Sequence, residues 1–457
     1  MARTILRRLA HVATFDDEDH ELVDADILID GTTIAEVGVG LPTDGVDRVI
    51  DGSGLLALPG LINAHHHLYQ TAMRAIPKLE RSSIGPWLAG VSAVALGWWR
   101  AGRFTHDLVR AVGRAALLES LLGGVTTTAD QHYFFPGGDP GGYVEATIEA
   151  ALDLGVRLHA ARGTITHGRA DGGTADDALV EPVDAVLRHC AALIDRYHDP
   201  EPRARIRVDI APCGVHVDRP EMFVEAAALA EDRPGVRLHT HLYERVDVEV
   251  AASRYGTTPW RLMDRFGWAT DRAWFAHVNR PPPDEIPEIA AAGSGVAHLI
   301  APDLRLGWGL APVREFLDAG VTLGFGTTGS ASNDGSNLLG DLRLASLAHR
   351  LGEDEPERWP RVRELLRAAT RGSAACLGRD DLGAIEPGRA ADIACFDLTQ
   401  VDRVGVHDPV AGLVLTGLSD VASLVMVNGE VLVEGGHPTK VDPAEIAREA
   451  RALVPAI

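Results

Sequence analysis

Cysteine is scarce. Cys190, Cys213, Cys376 and Cys395 are the four in the chain, and they stand far apart with no CxxC pair. That spacing offers neither a disulfide framework nor a thiolate metal knuckle, and it suits a reducing cytoplasm. Positive charge is also short: Lys and Arg total 43 against 65 Asp and Glu, a net charge of -22. A surface of that sign repels phosphate backbones, which sets nucleic acid aside as a partner. No apolar run is long enough for a membrane helix. The basic start at Arg3, Arg7 and Arg8 runs into His11 and then Asp16, Asp17, Glu18 and Asp19, where a secretory leader would carry its apolar region. The glycine-rich stretch Gly324 to Gly335 lacks the lysine of a phosphate-binding loop. There is no internal repeat and no low-complexity tract.

What the chain does have is apolar bulk, 46% of 457 residues, enough for one barrel and a small accessory domain. It reads as a soluble globular protein. Its N-terminal part holds short alternating runs, Ile5 to Phe15, Ala25 to Ile29, Thr33 to Val37 and Val49 to Leu58, expected as antiparallel strands. The C-terminal part has the same character in Asp392 to Leu398, Leu424 to Val427 and Val431 to Val433. Asn428-Gly429 between the last two suits a type I′ turn. Neither end buries enough surface alone, so residues 1–57 and 384–457 are expected to pair into one composite β-sandwich domain.

Between them, in residues 58–383, strand-like runs alternate with helical patterns. The runs are Leu58 to His67, Val125 to His132, Val156 to Arg162, Ile206 to Cys213, Val236 to His241, Ala273 to His277, Gly295 to Ala301 and Val321 to Thr328. One helix shows its period clearly, with Leu108, Ala111, Val112, Ala115, Leu118 and Leu122 on one face and Gly123-Gly124 as the stop. Eight such units predict an α/β fold of the (β/α)8 TIM-barrel type, whose chemistry sits at the C-terminal strand ends. His67, His241, His277 and Thr328 all fall at such ends.

Nineteen histidines make any one of them uninformative, but spacing changes that. In Leu58-Pro59-Gly60-Leu61-Ile62-Asn63-Ala64-His65-His66-His67, alternation along a strand sends His65 and His67 to one face and turns His66 away. Val236 to Glu244 reads VRLHTHLYE and delivers His239 and His241 in the same manner, with Glu244 just beyond. Two H-x-H pairs at the ends of separate strands suit a catalytic zinc held by neutral imidazoles with an open position. His239 fits packing or support of a ligand equally well. His277 stands at a third strand end. Glu244 has the position for proton transfer, although most glutamates are solvated loop residues. Trp87 and Trp308 fit the core and a pocket wall equally.

Together these motifs resemble the amidohydrolase superfamily, in its branch acting on nitrogen heterocycles. LPGLINAHHHLYQ resembles the first metal strand, HTHLYE the strand with a further ligand and a catalytic acid, and AIEPGRAADI the return into the composite β domain. Gly85 to Leu88, the stretch AHLIAPDLRLGWGLAPVREFLDAGVTLGFGTTGSASNDG and DLRLASLAHR look closest to the triazine hydrolases, the atrazine chlorohydrolase class. HHHLYQ and SASNDGSN are similar to 8-oxoguanine deaminases. The resemblance implies one Zn²⁺ per chain on His65, His67 and His241, Glu244 as acid and His277 near the reacting water. It departs at Thr328, where most of the superfamily has a metal-binding Asp. A threonine hydroxyl is a poor ligand and no base near neutral pH. Asp334, six residues on, is a candidate to compensate, and His216 a candidate to alter the pocket.

Without that carboxylate, proton delivery to a leaving amine is hard to replace, whereas chloride or a thiolate departs as an anion. The expected function is therefore a zinc hydrolase that displaces a halide, thioether or similar substituent from an N-heteroaromatic ring such as an s-triazine. Glu244 donates to a ring nitrogen, and Gln70, Trp87, Trp308 and Asp334 shape the substrate slot. The alternative is an aminohydrolase of a purine, pterin or amino-triazine; a non-catalytic heterocycle-binding protein stands behind it. The expected partner is a small N-heterocyclic molecule, with no nucleic acid and no membrane, and the expected state is a cytoplasmic homodimer.

Overall fold

A computed structural model describes residues 3–417 and 421–457, so residues 1–2 and 418–420 of the expected end domain lie outside it. Eight parallel strands follow one another in chain order around a barrel: β1 (Leu61–His66), β2 (Val125–His132), β3 (Arg157–Thr164), β4 (Ile206–Pro212), β5 (Leu238–Leu242), β6 (Ala273–His277), β7 (Gly295–His298) and β8 (Thr322–Phe325). Each pairs with its sequence neighbour. Helices connect them, as parallel strands require. The expected (β/α)8 barrel is the fold that forms.

Between β8 and β1 the junction is made by side chain and loop. Thr328 N donates to the carbonyl of His65 at 2.9 Å. The Asn63 amide donates to Thr327 Oγ1 at 2.8 Å and accepts from Thr327 N at 3.1 Å. The run Val321 to Thr328 is accordingly not strand throughout: ladder geometry ends at Phe325, and the next three residues turn across the barrel mouth. Leu58 to His67 is likewise two strands. Leu55–Pro59 belongs to the end domain and Leu61–His66 to the barrel. Gly60 makes the join because a Cβ there would stand 2.3 Å from the Thr126 side chain.

The chain ends do meet in one sheet of nine strands. Leu55–Pro59 pairs antiparallel with Ile393–Asp397, which ties the first part of the chain to the last. Where antiparallel strands are expected throughout, the sheet is mixed: Arg3–Ala13 runs antiparallel to Glu21–Asp30 but parallel to Arg48–Asp51 and to Leu55–Pro59. It exchanges those two parallel partners across a bulge at Arg8, whose φ is 57°. A bulge re-aims a strand, and here it lets one long strand serve both lobes of the sheet. Asn428 and Gly429 both have positive φ, 53° and 73°, as the type I′ turn demands. This domain has its own apolar core, with Leu6, Leu9, Ile27, Ile393 and Met426 in it.

The long connection after β1 carries α1 (Ile84–Arg100) and α2 (His106–Leu122). Thr105 caps α2 by accepting from Leu108 N, and Gly124 ends it at φ 86°. More of α2 is buried than the expected face, because it packs on the helix Tyr143–Leu154, the C-terminal helix Pro443–Leu453 and the turn Leu68–Met73. Among the described residues no helix is long and apolar enough to cross a membrane.

Barrel and end sheet are joined by a buried ion pair. Arg157 donates from Nε and Nη2 to both oxygens of Asp392, at 2.8 and 3.0 Å, and from Nη1 to the carbonyls of Arg203 and Ala204. Both side chains are almost fully buried. Asp392→Ala leaves a guanidinium uncompensated there, so it is expected to lower stability by about 3–5 kcal/mol. Urea unfolding of the metal-loaded protein measures this; a loss under about 1 kcal/mol would mean that solvent already screens the pair.

Candidate active site

Three histidines converge at the barrel mouth because each is turned by one acceptor. His67 Nδ1 donates to the Gln131 carbonyl at 2.8 Å, and His241 Nδ1 to the Cys213 carbonyl at 2.6 Å. His239 Nδ1 donates to the Trp274 carbonyl at 2.9 Å, which leaves its Nε2 to accept from His65 Nδ1 at 2.7 Å. A carbonyl only accepts, so each of these neutral rings carries its proton on Nδ1 and a lone pair on Nε2. Burial and mutual repulsion hold His65 and His67 well below the ordinary histidine range, and burial pushes His241 down to about 3. All three rings are therefore neutral. Nε2 of His67 and of His241 stand 3.3 Å apart with lone pairs facing, and buried His65 Nε2 has no protein partner. Ligand atoms of His65, His67 and His241 lie within 4.8 Å of one another. This donor set fits a cation, and neutral imidazole nitrogens with an open position fit zinc. His239 is thereby a support to His65, stacked on Trp274 with ring centroids 4.2 Å apart. Trp274 in turn crosses the barrel, its indole donating to the Ala64 carbonyl.

Glu244 is the N-cap of the helix Arg245–Tyr255. Burial, with Asp247 and Asp303 adding repulsion, raises its carboxyl to about 8. Its Oε1 lies 3.4 Å from His277 Nε2. His277 is turned that way by Asp303, whose Oδ1 is 2.8 Å from Nδ1. Tyr243 precedes Glu244 with φ 61°, and its phenol donates to buried Glu285, which also accepts from Thr258 at 2.6 Å. The turn that presents Glu244 is thus clamped from behind.

Space at the mouth falls into two compartments. The inner one, about 30 Å³, is walled by His67, His241, Glu244, His277, Trp308 and Thr328 among others. The outer one, about 210 Å³, lies against α1 and the segment 165–179 and is mostly apolar, with Val91, Phe134, Ile165 and Leu179 in its wall. Trp87, Leu88, Tyr133, Cys213 and His216 border both. Trp87 is fixed by donation from Nε1 to the Ala331 carbonyl at 3.1 Å. Trp308 packs edge-on to His277, centroids 4.7 Å apart, and its buried indole N–H has no protein partner.

The Amidohydrolase family profile matches residues 56–432. The chain belongs to the amidohydrolase family. An 8-oxoguanine deaminase of Pseudomonas aeruginosa is 35% identical over 463 positions, covering 100% of this chain and 99% of that protein. A hydroxydechloroatrazine ethylaminohydrolase of Pseudomonas sp. strain ADP is 36% identical over 92% of this chain and 86% of its own length. Among solved structures, an atrazine chlorohydrolase of Arthrobacter aurescens TC1 complexed with zinc is 60% identical with a TM-score of 0.98, covering 99% of this chain and 100% of that one. A mutant of that enzyme, complexed with zinc and atraton, has the same identity and score. This amidohydrolase is a metal-dependent hydrolase with zinc as its cofactor.

Of the residues expected from sequence, the site gathers His65, His67, His241, Glu244, His277, Thr328, Trp87 and Trp308. Gln70 and Asp334 border neither compartment. Gln70 stands one layer back and donates to the Tyr133 phenol at 2.9 Å. Asp334 faces away from the mouth, accepting from Ala75 N and from Arg305 Nε, each at 2.7 Å. Sequence reasoning missed Tyr133, Asp303 and Asp247. None of the three stands in a spacing pattern that marks it in the sequence.

His239→Phe keeps a stacked ring but removes the acceptor of His65 Nδ1–H. Zinc affinity is expected to fall about 10–100-fold, and further in His241→Ala, which loses a ligand. Competition with a chromophoric chelator measures both. Unchanged affinity in His239→Phe would mean that the His239–His65 contact has no bearing on the metal.

Proposed function

We propose that the protein hydrolyses a carbon–substituent bond on an N-heteroaromatic ring such as an s-triazine, releasing a halide, thiolate or similar anion. One observation carries this. Among the described residues bordering the inner compartment, Glu244 is the single carboxylate, and Thr328, three residues past β8, borders it where the family resemblance would place a metal-binding Asp. The kinship with triazine-acting enzymes supports the ring class.

When bound to His65, His67 and His241, zinc supplies the Lewis acid that makes water reactive near neutral pH. Glu244, protonated, donates to a ring nitrogen and draws electrons from the adjacent carbon as the oxygen of that water, which has given up one of its protons to solvent, adds there as the ring's new hydroxyl. The substituent then departs with its bonding pair, and the ring nitrogen returns its proton to the Glu244 carboxylate. Asp303 acts through His277, whose Nε2 lies 3.4 Å from Glu244 Oε1. Trp87, Trp308, Leu88 and Tyr133 form the walls between which a flat ring fits. An inner compartment of about 30 Å³ holds little more than the reacting substituent and its water, so the ring lies at the junction. The homodimer and the cytoplasmic setting are proposed with it, and light scattering on the purified protein tests the first.

Glu244→Gln is expected to keep its zinc and lose turnover by at least about 10²-fold. Turnover should also fall as pH rises through the Glu244 pKa, because the acid form is lost. That pKa is about 8 in the metal-free protein and lower with a cation beside it. Near-wild-type turnover in Glu244→Gln would remove it from the chemistry.

Thr328 should set the leaving-group order. Wild type is expected to hydrolyse a chloro- or methylthio-azine faster than the amino compound on the same ring, and Thr328→Asp should narrow or reverse the ratio of kcat/KM values. That ratio reports transition-state discrimination rather than expression. A wild-type preference for the amino compound, unmoved by Thr328→Asp, would establish an aminohydrolase, the reading that the deaminase relatives favour.

A further inference from the structure

His216 takes no part in the chemistry above, yet it borders both compartments at their junction. It stands in the turn after β4, buried at 3% exposure, and its Nδ1 is 2.7 Å from Asp247 Oδ1. Gly214 leaves room for the ring: a Cβ there would come within 2.9 Å of Cε1 and Nδ1. Asp247 lies in the first turn of the helix that Glu244 caps, so one helix end both presents Glu244 and anchors His216. A nitrogen of His216 and carboxylate oxygens of Glu244 and Asp247 lie within 4.8 Å of one another. Burial opposes charge on the ring, but the Asp247 carboxylate on Nδ1 leads the neighbours that outweigh it and raise the imidazole above its ordinary value. A buried charged ring is costly unless each N–H meets an acceptor. With Nδ1 on Asp247 and Cε1 toward Gly214, Nε2 is the nitrogen left for a ligand.

We propose that His216 is a substrate-binding specificity residue whose Nε2–H donates to a second acceptor on the ring edge that Glu244 protonates. Two neighbouring donors on one side of the junction match two acceptors separated by a single carbon, an N–C–N or N–C=O edge. The substrate class is then a triazine, pyrimidine or oxo-purine type of ring, and a pyridine with one nitrogen is a poor ligand. This rests on the reading that Glu244 meets a ring nitrogen.

The test compares zinc-loaded wild type, His216→Phe and His216→Gln, with folding checked by circular dichroism and zinc content. The ligands are a hydroxy-s-triazine and the pyridine that keeps its side chains and one ring nitrogen but carries no oxygen on the carbons beside that nitrogen, with Kd measured by calorimetry; chloride release from the parent chlorotriazine is measured alongside. His216→Phe is expected to weaken the triazine at least about tenfold, the worth of a hydrogen bond to a charged group, and to leave the pyridine within about twofold of wild type. His216→Gln keeps an N–H at the same reach and should restore most of the difference. Equal weakening of both ligands, or of neither, overturns the proposal, and so does a triazine loss in His216→Gln as large as in His216→Phe. Wild type that releases no chloride, whatever the Kd values, instead overturns the hydrolytic reading and the inference with it.

Discussion

A backbone carbonyl can only accept a hydrogen bond, and the metal centre depends on that fact. The carbonyls of Gln131, Cys213 and Trp274 fix protons on Nδ1 of His67, His241 and His239, and through His239 the same constraint reaches His65. Those carbonyls belong to neighbouring strands or to the turns just after them. Trp274, for example, is the ladder partner of His239 across β5 and β6. Register therefore decides which imidazole nitrogen is free. A one-residue slip would send every side chain to the other face of its strand and would pair each ring with the wrong carbonyl. The junction at Asn63, Thr327 and Thr328 and the buried Arg157–Asp392 pair act on the site in this indirect way, by holding the barrel in register.

The parts of this arrangement that were legible in the sequence are those written in side-chain periodicity. Alternation placed His65 with His67 and His239 with His241, and the strand–helix rhythm gave the barrel and so the end at which to look. The partners that turn those rings were not legible, because a carbonyl belongs to every residue and carries no letter of its own. Asp334 misled for the opposite reason. It is near Thr328 in sequence, but its positive φ of 63° turns it out of the mouth toward Arg305. Tyr133 escaped because one aromatic at a strand end has no pattern. In the end domain, turn chemistry at Asn428-Gly429 was readable, whereas the parallel pairings of the first strand depend on a bulge at Arg8, which no propensity marks.

Backbone strain gathers at the same strand ends. Tyr243, His277, Val278 and Thr328 have φ values of 61°, 72°, 51° and 57°, a region that costs a non-glycine residue about 1–3 kcal/mol and is worst for β-branched side chains. Each is held there by a bond from elsewhere. Val278 N donates to the Leu242 carbonyl and Thr328 N to that of His65, both at 2.9 Å, while Tyr243 is tied to Glu285. Just after β5 and β8, and across the end of β6, the chain thus turns left-handed and aims Glu244, His277 and Thr328 at one point. The apolar and ion-paired interior carries the cost, and no movement is needed to assemble the groups.

Division of the mouth into a small polar compartment and a larger apolar one separates two kinds of binding energy. Contacts in the outer compartment are remote from the bond that breaks and are the same in ground and transition states, so they lower KM without raising kcat. Glu244 and the metal-binding histidines meet atoms whose charge changes during reaction, and their contribution appears in kcat. Because Trp87, Leu88, Tyr133, Cys213 and His216 border both spaces, the junction is where a side chain alters both quantities together. Substitutions along α1 and the segment 165–179 should move KM with the length of the substrate's apolar arm. Those at the end of β8 act on the leaving group alone, since Thr328 borders only the inner space.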